Sequence, residues 1–256
     1  MKLIDSHAHL TFEPLADDID AVINRSVAAG VDGWITVGTD SGQNEKVASI
    51  LDRHPNLFGT VGIHPHYAKE TSNNEVERIR VLAENEKIVA IGETGLDFHY
   101  NFSKQDSQIE LFKKQLTIAA DRGMPLIIHS RGAFDETIKV MDDFTSSLGN
   151  VVFHCFGGTA DEAKFILDRG YYISFTGVVT FKKAESARIA AAAVGLDRMM
   201  VETDCPYMSP EPMRKQKVNE PALMVHTAKK LAEVKEVDFD TFCESVTANT
   251  RKFFSI

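Results

Sequence analysis

Histidines and carboxylates in this sequence gather at a few points, most of them where a short apolar run ends. His7 and His9 stand two apart near the start, and His64, His66, Glu93, His129, His154 and Asp204 follow at wide intervals. Residues two apart on a strand face the same side, so His7 and His9 have the spacing that two ligands of one ion need. The runs Ile88-Val89-Ala90-Ile91, Leu126-Ile127-Ile128 and Val151-Val152-Phe153 lead into Glu93, His129 and His154, and Met199-Met200-Val201 leads into Glu202 and Asp204. A lone buried histidine is more often satisfied by backbone hydrogen bonds than by an ion; the weight rests on the whole set. Imidazole and carboxylate without thiolate suit Zn, Mn, Fe, Co or Mg and do not choose among them.

Six candidate ligands (His7, His9, Glu93, His129, His154 and Asp204) exceed the roughly three protein ligands of one open catalytic zinc. Two divalent ions are therefore expected, with an anion between them, and Glu93 is the best-placed bridge. On this division His7, His9, Glu93 and Asp204 hold one ion, and Glu93, His129 and His154 the other. The chemistry is hydrolysis. Such an ion brings the pKa of bound water toward neutrality, and Asp204 would orient that water and take its proton. Glu202 and Asp5 are expected to support the ligands rather than bind metal. Cys155 and Cys205 neighbour ligands in sequence but should face the other way as structural thiols.

The elements that must position these groups form a regular alternation. Strand-like runs occur at Lys2–Leu10, Gly33–Thr39, Phe58–His66, Ile88–Asp97, Pro125–Arg131, Val151–Phe156, Tyr171–Gly177 and Met199–Tyr207. Helix-favouring stretches lie between them, with Ile109, Phe112, Leu116 and Ala119 forming an apolar stripe. Gly30, Gly123, Gly170 and Gly195 stand where a helix would end and a positive φ is expected. Thr159 with Glu162 has the spacing of a capping box. Helices are also expected over Pro221–Lys235 and Asp238–Phe253. Strands each followed by a helix require parallel pairing, and no glycine-rich phosphate loop follows the first strand, which weakens a dinucleotide-binding sheet. The expected fold is α/β, a (β/α)8 TIM barrel forming a single domain over residues 1–256, a usual length for that architecture. Active sites of such barrels lie at the C-terminal ends of the strands, where these ligands fall.

Composition narrows the function. The formal charge of −9 argues against a protein that coats nucleic acid indiscriminately. It leaves room for a phosphate-binding cleft with local positive charge. Polar Asp5, His7 and His9 near the start have no place in a signal peptide's apolar segment, and the apolar stretch from Ile189 to Leu196 is far too short to span a bilayer. The three cysteines, odd in number and widely spaced, read as free thiols in a reducing cytoplasm.

Several blocks together resemble the TatD-type metal-dependent deoxyribonucleases. They are His7-x-His9, Gly62-Ile63-His64-Pro65-His66, Ile91-Gly92-Glu93-Thr94-Gly95-Leu96-Asp97, His129-Ser130-Arg131, His154-Cys155-Phe156-Gly157-Gly158 and Glu202-Thr203-Asp204-Cys205-Pro206-Tyr207. They span essentially the whole chain and are specific only in combination. The resemblance implies an amidohydrolase-type barrel that hydrolyses phosphodiester bonds in DNA, often from the 3′ end. It implies metal ligation by Glu93, His129, His154 and Asp204, with His7 and His9 matching the first-strand pair and His64 a histidine near the active site. Many relatives carry Arg-Gly-Lys before Asn-Glu-Pro; here the segment reads Arg214-Lys215-Gln216-Lys217-Val218-Asn219-Glu220-Pro221. The glycine is missing, which leaves the path of the loop open.

The expected function is therefore a 3′-to-5′ exonuclease acting on DNA, single-stranded or at 3′ ends, with two divalent ions (Zn, Mg or Mn), as a cytoplasmic monomer or weak oligomer. The expected catalytic residues are Asp204, Glu93, His64 and Arg131, and Arg131, Tyr207 and Arg214 are expected to bind substrate. Arg131 could fork onto phosphate oxygens or pair with a carboxylate. Phe98, Tyr100 and Phe102, with Phe156 and Tyr207, could stack on bases or pack their loops. His54, His66, His99 and His226 are read as surface or packing residues. Two other classes compete: a hydrolase of a small amide, lactone or phosphoester on the same scaffold, and a metal-binding protein without turnover. The absence of a lysine where Glu93 stands counts against relatives bridged by a carboxylated lysine.

Overall fold

The apolar runs become strands because β-branched and aromatic side chains pack well on a pleated, buried surface. In the computed structural model, which describes residues 2–256, the chain forms β1 (Leu3–Ala8), α1 (Ile19–Ala28), β2 (Val31–Val37), α2 (Ser41–Ile50), β3 (Leu57–Val61) and α3 (Asn73–Leu82). There follow β4 (Ile88–Asp97), α4 (Gln105–Arg122), β5 (Leu126–Arg131), α5 (Phe134–Asp142), β6 (Val151–Phe153) and α6 (Ala160–Asp168). The chain ends with β7 (Tyr172–Phe175), α7 (Glu185–Ala193), β8 (Met199–Val201), α8 (Met224–Val234) and α9 (Phe239–Phe254). The eight strands make one sheet in chain order. The first and last strands are also joined: Asp204 N donates to His7 O and His9 N to Cys205 O, both at 2.9 Å. Sequential order with β1 tied to β8 is the topology of a (β/α)8 barrel.

The backbone falls into two compact units. One comprises residues 2–36 and 155–256. In it β1 pairs with β2 and β7 with β8, both parallel. Its core holds Trp34, Tyr172, Phe175, Phe242 and Phe253, and the indole of Trp34 donates to Ser26 Oγ at 2.8 Å. The other unit, Val37–His154, carries β3 to β6 in parallel pairs around Leu57, Phe112, Leu116, Ile127 and Phe153.

The helix signals are largely met. Phe112, Leu116 and Ala119 are buried on α4, while Ile109 is half-buried at its margin. The Thr159/Glu162 capping box opens α6, and Ser72 with Glu75 makes a second on α3. Gly123 ends α4 at φ 63°, and Gly30 and Gly170 also have positive φ. Gly195 does not. Its φ is −62°, and it opens a short 3-10 turn, Leu196–Arg198, rather than terminating a helix.

Most strands are shorter than their sequence signals, and β3, β6 and β8 stop well short, at Val61, Phe153 and Val201. His64, His154 and Asp204 thus sit just beyond strand ends, where the backbone is free to leave the sheet plane. Asp204 uses that freedom, with φ 54°, in the left-handed region that Asp tolerates better than most residues.

Gly95 in β4 has no such freedom to change. Its φ is +135°, and a Cβ there would lie 2.0 Å from the carbonyl oxygen of His129. Gly95→Ala is expected to destabilise the protein by roughly 3 kcal/mol or more, combining backbone strain with displacement of β5. Chemical denaturation followed by circular dichroism measures this, and a change below about 1 kcal/mol would contradict the argument.

Candidate metal centre

Each unit carries its own cluster of ligand atoms. In the first, His7 lies on β1 and His9 one residue past its end, and Asp204 follows β8. His7 Nε2 and His9 Nε2 are 3.3 Å apart, and Asp204 Oδ1 is 3.2 Å from His9 and 3.7 Å from His7. Metal–ligand bonds of about 2.0–2.2 Å put neighbouring ligand atoms roughly 2.8–3.6 Å apart. These three atoms therefore outline a face of the right size for one cation.

The segments bearing them are locked together. Buried Asp5 accepts from Thr203 N (2.9 Å), Thr203 Oγ1 (2.6 Å) and His7 N (3.3 Å). Burial pushes the Asp5 carboxyl up to about 7, although the Thr203 and His7 hydrogen bonds oppose that shift. Glu202 accepts from Ser174 Oγ (2.6 Å) and Cys155 N (2.7 Å). His9 stacks on Phe12 at 4.6 Å, which fixes its ring plane.

In the second unit Glu93 is the centre. Its Oε1 lies 2.7 Å from His154 Nε2, 2.9 Å from His129 Nδ1 and 3.5 Å from His64 Nε2. His64, Glu93 and His129 again group as one candidate ion site. Burial works to raise the Glu93 pKa, but His154 and His64, with hydrogen bonds from His129 and His154, hold it well below the carboxylate range. Burial, reinforced by the neighbouring His129, holds His64 well below the usual imidazole range, so it stays neutral. At His129 burial works to lower the pKa, but hydrogen bonds to Asp97 and Glu93 raise it.

Two residues here escaped the sequence reading. Asp97 Oδ2 meets His129 Nε2 and His66 Nε2, each at 3.0 Å, and its Oδ1 accepts from Tyr100 N at 2.8 Å. A carboxylate on the second ring nitrogen is what orients a metal-ligating histidine and selects its tautomer. His66, read as a surface or packing residue, is half-buried and held by that carboxylate. The signal was present: Asp97 closes a strand that already carries Glu93 four residues earlier, and an acid there needs a partner.

The remaining candidates lie further out. Arg131 is exposed, its guanidinium 4.6 Å from the ring centre of Tyr100. Arg214 is exposed above Phe181 at 3.9 Å, and Tyr207 presents its edge to His9 at 6.5 Å. The loop lacking the family glycine is fastened by buried Asn219, whose amide donates to Thr203 O and Tyr207 O. All three cysteines are free; Cys205 is buried and Cys155 half-buried. No helix among the described residues is long and apolar enough to cross a membrane.

A barrel topology with histidine and carboxylate clusters in and just after its strands belongs with the metal-dependent hydrolases. The family model for TatD related DNase matches residues 4–255, and the chain belongs to that family. It is 33% identical over 254 residues to a Bacillus subtilis protein described as an uncharacterized metal-dependent hydrolase, YabD, covering 99% of each chain. It is 34% identical over 258 residues to an Enterobacter lignolyticus protein named 3′-5′ ssDNA/RNA exonuclease TatD, again covering 99% of each. The crystal structure of YjjV, a TatD homologue from Escherichia coli, superposes with a TM-score of 0.93 at 26% identity, covering 99% of this chain and 98% of that one.

If Asp97 orients His129, replacing it by asparagine keeps the shape and loses the charge. Asp97→Asn is expected to weaken divalent-metal binding by roughly 10–100-fold with the fold intact. Competition against a chromogenic chelator, with circular dichroism as the control, reads both. Unchanged affinity would leave Asp97 with a purely structural role.

Proposed function

We propose that this protein hydrolyses phosphodiester bonds of single-stranded DNA from the 3′ end, using two divalent ions of the Zn, Mn or Mg kind. One ion sits at the His7, His9 and Asp204 cluster and the other at Glu93, His129 and His154, with His64 beside them. The observation that carries this reading is the spacing within each cluster, where ligand atoms from distant parts of the chain stand one metal-polyhedron edge apart. The names borne by the Bacillus and Enterobacter relatives support the reaction and the substrate.

Divalent ions so held supply Lewis-acid activation of water and of the phosphoryl oxygen at neutral pH. The protein supplies the rest. Asp204 is the half-buried acid of its cluster, and its second oxygen is placed to accept the proton of the attacking water. As the water oxygen bonds to phosphorus, the phosphorus–oxygen bond to the remaining strand breaks, and that oxygen leaves as a hydroxyl once protonated. Neutral His64, 3.5 Å from Glu93, can donate its ring N–H there without adding charge. Arg131 offers a fork of donors to the phosphate. The overall charge of −9 suits an enzyme that engages one strand end in a cleft rather than long duplex.

The test is a substrate panel of 3′-labelled single-stranded DNA, duplex DNA, RNA and a simple phosphodiester, with and without chelator. Single-stranded DNA is expected to shorten from its 3′ end only while metal is present. Asp204→Ala is expected to lower kcat by roughly 10²–10⁴-fold, the usual contribution of a positioned base. Cleavage that survives the chelator, or a mutant as active as the parent, would refute the assignment.

A further inference from the structure

Near the Glu93 cluster the loop after β4 exposes two aromatic rings that packing does not require. Phe102 is 58% and Tyr100 47% exposed, well above any aromatic of the core. They stack on each other, 5.5 Å between centres and 18° between planes. Loop tips of this kind are commonly mobile, but this one is pinned. Tyr100 N donates to Asp97 Oδ1, Asn101 Nδ2 to Phe98 O, and Ser103 Oγ to His66 O, all at 2.8 Å. Buried Gln108 crosses beneath, donating to Asp97 O at 3.0 Å and Ser103 O at 2.8 Å.

The pair is joined to the metal ligands by contacts of fixed geometry. His66 meets Phe102 edge to face at 4.7 Å and Tyr100 at 5.7 Å; His66 bonds Asp97, and Asp97 bonds His129. The Arg131 guanidinium lies over the Tyr100 ring, 4.6 Å from its centre. A pinned aromatic stack capped by a guanidinium, with Phe102 the more exposed of its two rings, suits an unpaired nucleobase attached to a phosphate.

We propose that Tyr100 and Phe102 form a stacking shelf for an unpaired base of the substrate strand, with Arg131 holding the adjoining phosphate. The shelf makes them specificity-determining residues for single strands, since a base paired in a duplex cannot offer its face. The inference rests on the nuclease reading above and adds the recognition element to it. Because stacking tolerates every base, the shelf selects for the presence of a base and not for its identity.

The test compares two 3′-labelled single strands of equal length, one with ordinary 3′-terminal nucleotides and one whose terminal nucleotides are abasic. Stacking contributions per base convert to a factor of about 5–160. The parent enzyme is expected to show kcat/KM lower by that factor on the abasic strand. Phe102→Ala is expected to lose a similar factor on the ordinary strand and about twofold or less on the abasic one, while Phe102→Trp retains the parent's preference. Equal cleavage of both strands by the parent, or equal losses on both strands in Phe102→Ala, would overturn the shelf while leaving the nuclease intact. A parent inert on both strands with metal present would overturn the nuclease reading and the shelf with it.

Discussion

The Glu93 carboxylate is 4% exposed and ionised, and the arrangement of its unit follows from keeping it so. Removing a charge from water costs several kcal/mol unless partners replace the lost hydration. Here three imidazoles replace it, from β5, from just past β6 and from just past β3. Each imidazole must then be oriented. Asp97 holds His129 and His66, and being itself buried it needs donors, which the backbone N–H groups of His99 and Tyr100 provide. Compensation for one buried charge thus extends step by step to the surface loop, and the loop's rigidity is its last step. The exposed rings of Tyr100 and Phe102 are held still by the same bonds that keep His129 in place.

The other unit meets the same constraint differently. Its buried acids are answered by hydroxyls and backbone amides more than by imidazoles: Asp5 by Thr203 and the His7 N–H, Glu202 by Ser174 and the Cys155 N–H. Burial dominates at Asp5 and raises its pKa, whereas at Glu93 the imidazoles dominate and lower it. The difference sorts the carboxylates by role. The acid that ties β1 to the segment after β8 works with neutral donors, while the one among the imidazoles is kept anionic.

How much of this was legible in the sequence depends on what each inference used. Apolar runs marked all eight strands, because a strand buried on both faces leaves that trace, and ligand-type residues after them marked the functional end. Alternation along a strand was a weaker guide. It sets Cys205 opposite Asp204 as though β8 continued, but β8 ends at Val201 and Asp204 has a left-handed backbone. Asp204 does join His7 and His9, but by a turn that alternation does not describe. Gly195 failed for a related cause: a glycine after a helix suggests a positive φ, but a 3-10 turn there needs none. Asp97 and His66 were missed because partners of ligands have no spacing rule of their own. Their pairing spans 31 residues and exists only once β4 and the turn after β3 are in place.

Stability and chemistry are divided along the strands at the scale of one or two residues. Ile88 to Ile91, Leu126 to Ile128, Val151 to Phe153 and Met199 to Val201 are all buried, and apolar burial of that extent is what holds such a sheet together. The ligands begin immediately beyond: Glu93 two residues after Ile91, His129 and His154 next in line, Asp204 three residues after Val201. Polar groups placed one position earlier would face the packed interior without partners. Placed several positions later, they would lie on loops too free to hold a spacing of about 3 Å. The strand end is therefore where a side chain can be both positioned by the sheet and reached by water. Glu93 and His129 meet both conditions within β4 and β5, whereas His154 and Asp204 meet them just after β6 and β8.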